Sequence, residues 1–334
     1  MPDIILLGDI NIDINATLAT YPVHGSEGIV QAVTYSTGGS VVNTATALAK
    51  TGADAGIIGR IGSDTLAAQA WAYLKNISVD WSQIQVDPDV STGLVYIAVT
   101  PDGERTMFSA RGANAFTQAT PAWESYFANA RWYHFSGYAL LTQPQHNAAI
   151  YGLKLARQNH CLISLDPNPE PAIRYGKKIK ETLSEIDIFL PNEQELSVLF
   201  GRKNFNDAIK DTLDAGVKTV ATKRGSKGCV IANANEYLKI PGFNIQAKNT
   251  TGAGDSFNAG VILGRTAGLS WAASGILGNA LGAIASLAPV SGVAEAGAGA
   301  IIKLIEKDRA TPRWAEWRLA LQEVTAYLAT TQQP

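Results

Sequence analysis

Short apolar runs alternate with helix-length amphipathic stretches along most of this chain. Ile4–Leu7 is a compact apolar run ended by Gly8, which predicts a buried strand. Further strands are expected at Ala55–Ile58, Trp132–Phe135, Leu162–Leu165, Ile186–Leu190, Thr219–Thr222 and Cys229–Ala232. Helices are expected over Val41–Lys50, Asp64–Leu74, Gln145–Asn159, Gln194–Phe200 and Asn206–Ala215, with Ser40 as the N-cap of the first and Gly52 closing it. Strand alternating with helix implies parallel strands joined by right-handed crossovers. The fold class is therefore α/β, a doubly wound, mostly parallel sheet with helices on both faces. Two segments, near 12–36 and 91–111, have no crossover helix; the second folds back as a hairpin around Pro101-Asp-Gly-Glu104. They are expected to form a small separate β-sheet, a lid over the carboxyl ends of the main strands, where ligands of such sheets bind. Residues 1–310 read as one domain. Residues 311–334 form a helical tail whose Trp314, Trp317, Leu319, Leu321 and Val324 line up as a docking face.

Composition narrows the function classes. Of 334 residues, 46% are apolar and 17% charged, which supports a large core and excludes disorder. Net charge is −2, so no basic field points to nucleic acid. Cys161 and Cys229 lie far apart, and His24, His134, His146 and His160 are scattered, so neither disulfide nor zinc spacing appears. The uncharged stretch Thr266–Ala294 is broken by Asn279, Pro289 and several glycines, which suits a helix packed on the sheet rather than a membrane span. With no signal peptide expected after Met1-Pro-Asp, a cytoplasmic protein is expected.

The richest chemistry lies in Lys248-Asn-Thr-Thr-Gly-Ala-Gly-Asp-Ser-Phe-Asn-Ala-Gly260. Gly252 and Gly254 let the backbone approach a ligand, and the N–H groups at the following helix start suit a phosphate. Asp255 places a carboxylate at the same point, within reach of a hydroxyl proton. As a lone motif it reads first as a helix start with a favourable acid, and the rest of the chain shifts that weight. Asn11 and Asp13, just past the first strand, pair an amide with a carboxylate, as sugar hydroxyls require.

Four motifs together resemble the ribokinase-like (PfkB) carbohydrate kinase family: Gly8-Asp-Ile-Asn-Ile-Asp13, Gly38-Gly-Ser-Val-Val-Asn43, Pro191-Asn-Glu-Gln-Glu195 and Thr250-Thr-Gly-Ala-Gly-Asp255. The resemblance runs from about Ile4 to Ile305. It implies an ATP-dependent kinase of a sugar or sugar-like hydroxyl, of ribokinase, fructokinase or ketodeoxygluconate kinase type. Asp255 is then the base, with Gly252, Ala253 and Gly254 as the anion hole. Asn11, Asp13, Gly38, Gly39 and Asn43 hold the acceptor. Asn192, Lys223, Gly225, Gly228 and Asn279 serve the nucleotide, and Glu195 meets Mg²⁺ through water. Asn249 and Thr251, with the Ser286–Gly292 loop, fall where several members bind a monovalent cation; Asn249 replaces the usual aspartate, which weakens the case for K⁺.

The lid hairpin offers Arg105, Phe108, Arg111 and Asn114 to the acceptor. Arg111 sits where ketodeoxygluconate kinases carry a carboxylate-binding arginine, whereas Gly112-Ala-Asn114 looks more like ribokinase. The alternative for Arg111 is an exposed lid arginine paired with Glu104. An adenosine-type nucleoside kinase and a non-catalytic sugar-binding regulator stay open; a dinucleotide-dependent dehydrogenase lacks its GxGxxG after the first strand. The partners expected are sugar and ATP, with a second copy docking through the lid, on the face carrying Val95, Ile97 and Val99.

Overall fold

The computed structural model describes residues 1–101, 104–288 and 297–331. In chain order the elements are β1 (Ile4–Leu7), β2 (Asn11–Leu18), β3 (Val30–Gly38), α1 (Ser40–Lys50), β4 (Ala55–Ile61), α2 (Thr65–Leu74), β5 (Asp80–Val86), β6 (Gly93–Val99) and β7 (Arg105–Ala110). Then come α3 (Ala122–Phe127), β8 (Trp132–Ser136), α4 (Gln145–Gln158), β9 (Leu162–Asp166), α5 (Pro169–Thr182), β10 (Ile188–Phe189), α6 (Glu193–Phe200), α7 (Phe205–Asp214) and β11 (Thr219–Lys223). The last are β12 (Cys229–Asn233), β13 (Tyr237–Ile240), α8 (Ala253–Thr266), α9 (Trp271–Leu287), α10 (Ala298–Asp308) and α11 (Arg318–Thr330).

The main sheet has nine strands in the order β13-β12-β11-β10-β9-β8-β1-β4-β5. It is parallel from β5 to β11, and β12 and β13 close one edge antiparallel. The chain leaves β1 toward β4 on one side and later returns to β8 on the other, so the strand order reverses at β1. Its carboxyl end, Gly8 and Asp9, is the crevice where doubly wound sheets bind ligands. One core, on the face of α1, α8 and α9, gathers Leu6, Val41, Ile57, Phe257 and Ile276. The other gathers Leu7, Phe135, Leu153, Ile163 and Val220. Helices on both faces explain why the inner strands read as unbroken apolar runs.

The two segments without crossover helices form a four-stranded sheet, β3-β2-β6-β7. Register assigns its faces. Asp13, Val95 and Ser109 lie in one cross-strand row; Tyr35, Ile14, Tyr96 and Phe108 lie in another. Val95, Ile97, Met107 and Ser109 line the cavity beside Asp13. The apolar face expected for docking is thus turned inward. Tyr35 and Phe108 lie on the opposite face and are 57% and 54% exposed.

Several local expectations are corrected. The N-cap of α1 is Gly39, with φ 103°, and Ser40 is the first helical residue. A side chain at Gly39 would meet the Asp9 carbonyl at 2.1 Å, so only glycine permits this approach. Strand β5, rich in polar residues, and the short β13 carry no clear strand pattern. In the tail, Trp314, Leu321, Val324 and Leu328 are buried and α11 packs on α9, but Leu319 is 81% exposed. The charge-poor stretch is α9, which packs so closely on α8 that a Cβ on Gly260 would lie 2.6 Å from Gly278. Among the described residues, no helix is long and apolar enough to cross a membrane.

Candidate active site

Three chain turns meet at the carboxyl edge of the main sheet. The glycine-rich turn delivers Gly252 at φ 79° as the N-cap of α8, and no side chain closes that helix end. A Cβ built on Gly252 would meet nothing nearer than Asn43, at 3.7 Å, so the space before it is open. The N–H groups of Gly252, Gly254 and Asp255 have no protein acceptor among the described residues. The Ala253 N–H instead turns back to the Thr250 carbonyl at 3.3 Å. Three unspent donors at the positive end of a helix suit an anion.

Asp255 stands on that turn. Asn43 Nδ2 donates to its Oδ2 at 2.8 Å, and Thr44 Oγ1 donates to its backbone carbonyl at 3.2 Å, so α1 grips the start of α8. Asn43, expected at the acceptor, therefore orients the carboxylate. Burial pushes the Asp255 pKa up to about 7; the Asp166 charge adds to this, while the Asn43 hydrogen bond and Lys223 oppose it. Burial, then the Asp255 charge, pushes Asp13 up to about 7 as well. A carboxyl poised near neutral pH matches a general base.

A second polar cluster is built around Lys223. Its Nζ donates to Asp166 Oδ2 at 2.7 Å and lies 3.4 Å from Asn258 Oδ1, while Asn258 Nδ2 donates to the same Asp166 oxygen at 2.6 Å. A Cβ on Gly254 would sit 3.7 Å from that ammonium, so Lys223 flanks the open turn. Burial alone would lower the Lys223 pKa, but Asp166 and Glu195 outweigh it and hold the amine charged. Glu195 is pushed up to about 7 by burial, against the pull of Lys223. Its two oxygens accept from Asn192 N and Asn192 Nδ2, each at 2.8 Å, while Asn192 Oδ1 accepts from Glu195 N: a capping box at the start of α6. Asn192 and Glu195 thus form an ordinary helix start, and any Mg²⁺ contact of Glu195 would pass through water. The described residues hold no group of three His, Cys, Asp or Glu suited to a metal. Gly225, φ 55°, faces open space, whereas a side chain on Gly228 would strike the Ile240 carbonyl. Asn279 is buried and its amide donates to the Pro241 carbonyl at 3.1 Å, so packing already satisfies it.

Beside Asp13 lies a cavity of about 140 Å³ lined by Asp9, Asn11, Asp13, Gly39, Ser40 and Arg111, among others, and roofed by the lid. Gly38 is required there because a Cβ would lie 2.2 Å from Asp13 Oδ2. Arg111 does not pair with Glu104. It forms a two-pronged ion pair with Asp9 at 2.9 and 2.7 Å. Asn114, offered by the sequence as a ligand, is fully buried and ties the β1–β2 turn, with Oδ1 accepting from Ile10 N at 2.7 Å.

Arg105, offered by the sequence to the acceptor, turns instead to the glycine-rich turn. Its guanidinium reaches from β7 to Asn249 Oδ1 at 3.1 Å and to the hydroxyls of Thr250 and Thr251, tying the lid to the glycine turn. The side-chain oxygens of Asn249 and Thr251 are therefore occupied by a fixed cation, which would repel a monovalent ion there. The rest of that expected site, from 289 to 292, lies outside the described residues, as does part of the 101–104 turn. Asn258, Gln145 and the pairing of Asp166 were missed; only Asn258, one helical turn after Asp255, carries a local signal.

A glycine-turned helix N-terminus, a poised carboxyl and a lidded polar cavity form a phosphoryl-transfer geometry, and the comparisons agree. The model of the pfkB family carbohydrate kinases matches residues 1–292. The chain belongs to the PfkB family of carbohydrate kinases. It is a phosphotransferase of the sugar-kinase type. Among its relatives, fructokinase-2 of Solanum lycopersicum is 27% identical over 262 residues, covering 76% of this chain and 79% of that one. An ATP-dependent ribose-1-phosphate kinase of Halopiger xanaduensis is 29% identical, covering 78% and 84%. Among solved structures, Arabidopsis thaliana ribokinase complexed with ribose and ATP superimposes with a TM-score of 0.79 at 23% identity, covering 91% of this chain and 99% of that one. Adenosine kinase of Sinorhizobium meliloti gives 0.77 at 22% identity, covering 88% and 98%. These likenesses establish the ribokinase-like fold: the doubly wound sheet with its separate small lid.

Proposed function

We propose that this PfkB kinase transfers the γ-phosphoryl group of ATP to a hydroxyl, expected to be primary, of a small free sugar. The observation that carries the reading is Asp255, a buried carboxyl pushed up to about 7, standing on a helix start with three N–H donors that take no acceptor among the described residues. The acceptor lies in the lidded cavity against Asn11 and Asp13. Asp255 takes the proton as the hydroxyl oxygen attacks, and the amides of Gly252, Gly254 and Asp255 bear the charge of the transferred group. Lys223, kept charged by Asp166, meets the phosphates beside Gly254. The solved complexes of relatives with ATP, and of a candidate ribokinase II of E. coli with ATP and Mg²⁺, support both cofactors. When bound, Mg²⁺ neutralises phosphate charge; it would keep most of its water, with Glu195 and Asn192 at its outer side. We carry K⁺ no further.

A coupled ADP-release assay over a panel of sugars and nucleosides tests the reading. Asp13→Ala is expected to raise the acceptor KM by roughly 10-fold or more while the ATP KM changes little, since a charge-assisted hydrogen bond contributes about 1.5–3 kcal/mol. An equal rise in both constants would make Asp13 structural.

We also propose a cytoplasmic homodimer, with residues 1–310 as the kinase unit and 311–334 as an appended tail. The outer lid row of Tyr35, Ile14, Tyr96 and Phe108 supports the dimer, because exposed aromatic side chains on an uncovered sheet face mark contact surfaces. Two buried, unpaired cysteines suit a reducing compartment. Light scattering should give twice the chain mass, and Phe108→Glu should give the chain mass. A wild-type monomer at micromolar concentration would refute the dimer.

A further inference from the structure

Arg111 is the cation of the acceptor cavity, and its bonding is nearly complete. Its Nε and Nη2 donate to the two oxygens of Asp9 at 2.9 and 2.7 Å. Nη2 also donates to Gln145 Oε1, and Nη1 donates to Thr142 Oγ1 at 3.0 Å. The triangle is closed by Gln145 Nε2, which donates to Asp9 Oδ1 at 3.0 Å. Asp9 is 5% exposed and Gln145 is fully buried. The forked face with which a guanidinium grips a carboxylate is thus already filled by a carboxylate of the same chain. Only one Nη1 N–H is left to offer an acceptor. Asp13, in the same cavity, adds a second acid facing the acceptor. An anionic acceptor would have to displace Asp9, stranding a buried charge, and would then face Asp13 as well.

We propose that Asp9 is a specificity-determining residue: by occupying Arg111 it commits the cavity to a neutral polyhydroxy acceptor and excludes aldonic, uronic and keto acids. The inference rests on the reading that this cavity holds the hydroxyl to be phosphorylated. Asp9 acts through Arg111 and is a positioning residue. Asp9→Asn keeps the shape and an oxygen for Gln145 and Arg111, but leaves the guanidinium charge uncompensated.

The test uses the full chain in a coupled ADP-release assay. Its acceptors are ribose, fructose and glucose on one side, and gluconate, glucuronate and 2-keto-3-deoxygluconate on the other. Wild type should favour the best neutral sugar over the best acid by about tenfold or more in kcat/KM. Asp9→Asn should lower turnover of the neutral sugar and raise the acid-to-neutral ratio by about tenfold or more. A purely structural ion pair would cost both acceptors equally and leave the ratio unchanged, which would overturn the proposal. An acid preference in wild type would overturn it as well, with no need for a folded variant, while leaving the kinase reading intact. No turnover of any acceptor would overturn both.

Discussion

Asp255→Asn is expected to reduce kcat by roughly 10²–10⁴-fold with the fold intact, because the amide keeps the shape and the bond from Asn43 but cannot take a proton. Wild-type kcat/KM should rise with pH through about 7, the range to which burial and the Asp166 charge push this carboxyl. The same shift fixes the sign of a stability change. A carboxyl whose folded pKa is raised contributes stability below its unfolded value of about 4, and that contribution is lost as pH rises through about 7. At pH 8 the folded chain therefore bears a cost of up to about 4 kcal/mol, which the neutral amide avoids. Asp255→Asn should melt higher than wild type at pH 8, with the difference shrinking toward pH 5. A variant that is inactive and also less stable at pH 8 would mean that Asp255 holds the fold together. Turnover within threefold of wild type would remove its assignment as the base.

Lys223→Met is expected to cost roughly 3–5 kcal/mol of stability, because it strands the Asp166 charge, 2% exposed, in the interior. It should also lower kcat/KM for ATP by roughly 10²-fold through loss of the cation beside Gly254. The two effects separate in a double variant. Adding Asp166→Asn should restore most of the melting temperature and none of the ATP turnover. Recovery of both would reduce Lys223 to a structural partner of Asp166.

The parts of the site legible in the sequence are those where one short stretch carries its own geometry. Gly252 and Gly254 announce a turn, the alternation into Val261 and Ile262 announces a helix, and Asp255 falls at its start. The Asn192–Glu195 capping box is equally local, which is why its role as a helix start was readable beside any nucleotide role. What escaped notice is made by contacts between distant segments. Asp9 and Gln145 are 136 residues apart, and Arg105 reaches Thr251 across 146. No pattern of types or spacing reports such pairs. Arg111 belongs to the lid hairpin the sequence predicts, but its partner comes from the end of β1, which only the assembled sheet brings near. The lid faces failed for a related reason. Alternation separates Val95 and Ile97 from Tyr96, yet which set faces inward depends on how the lid sits over the main sheet.

The central claim is that this cavity and Asp255 together phosphorylate a sugar hydroxyl. The most direct measurement is phosphorus NMR of the products formed from ATP, Mg²⁺ and the best acceptor of the panel, by wild type and by Asp255→Asn. The account predicts ADP and a new phosphomonoester in equal amounts from wild type, and neither from the variant. ADP with free phosphate and no sugar ester, or an ester formed equally well by both proteins, would contradict it.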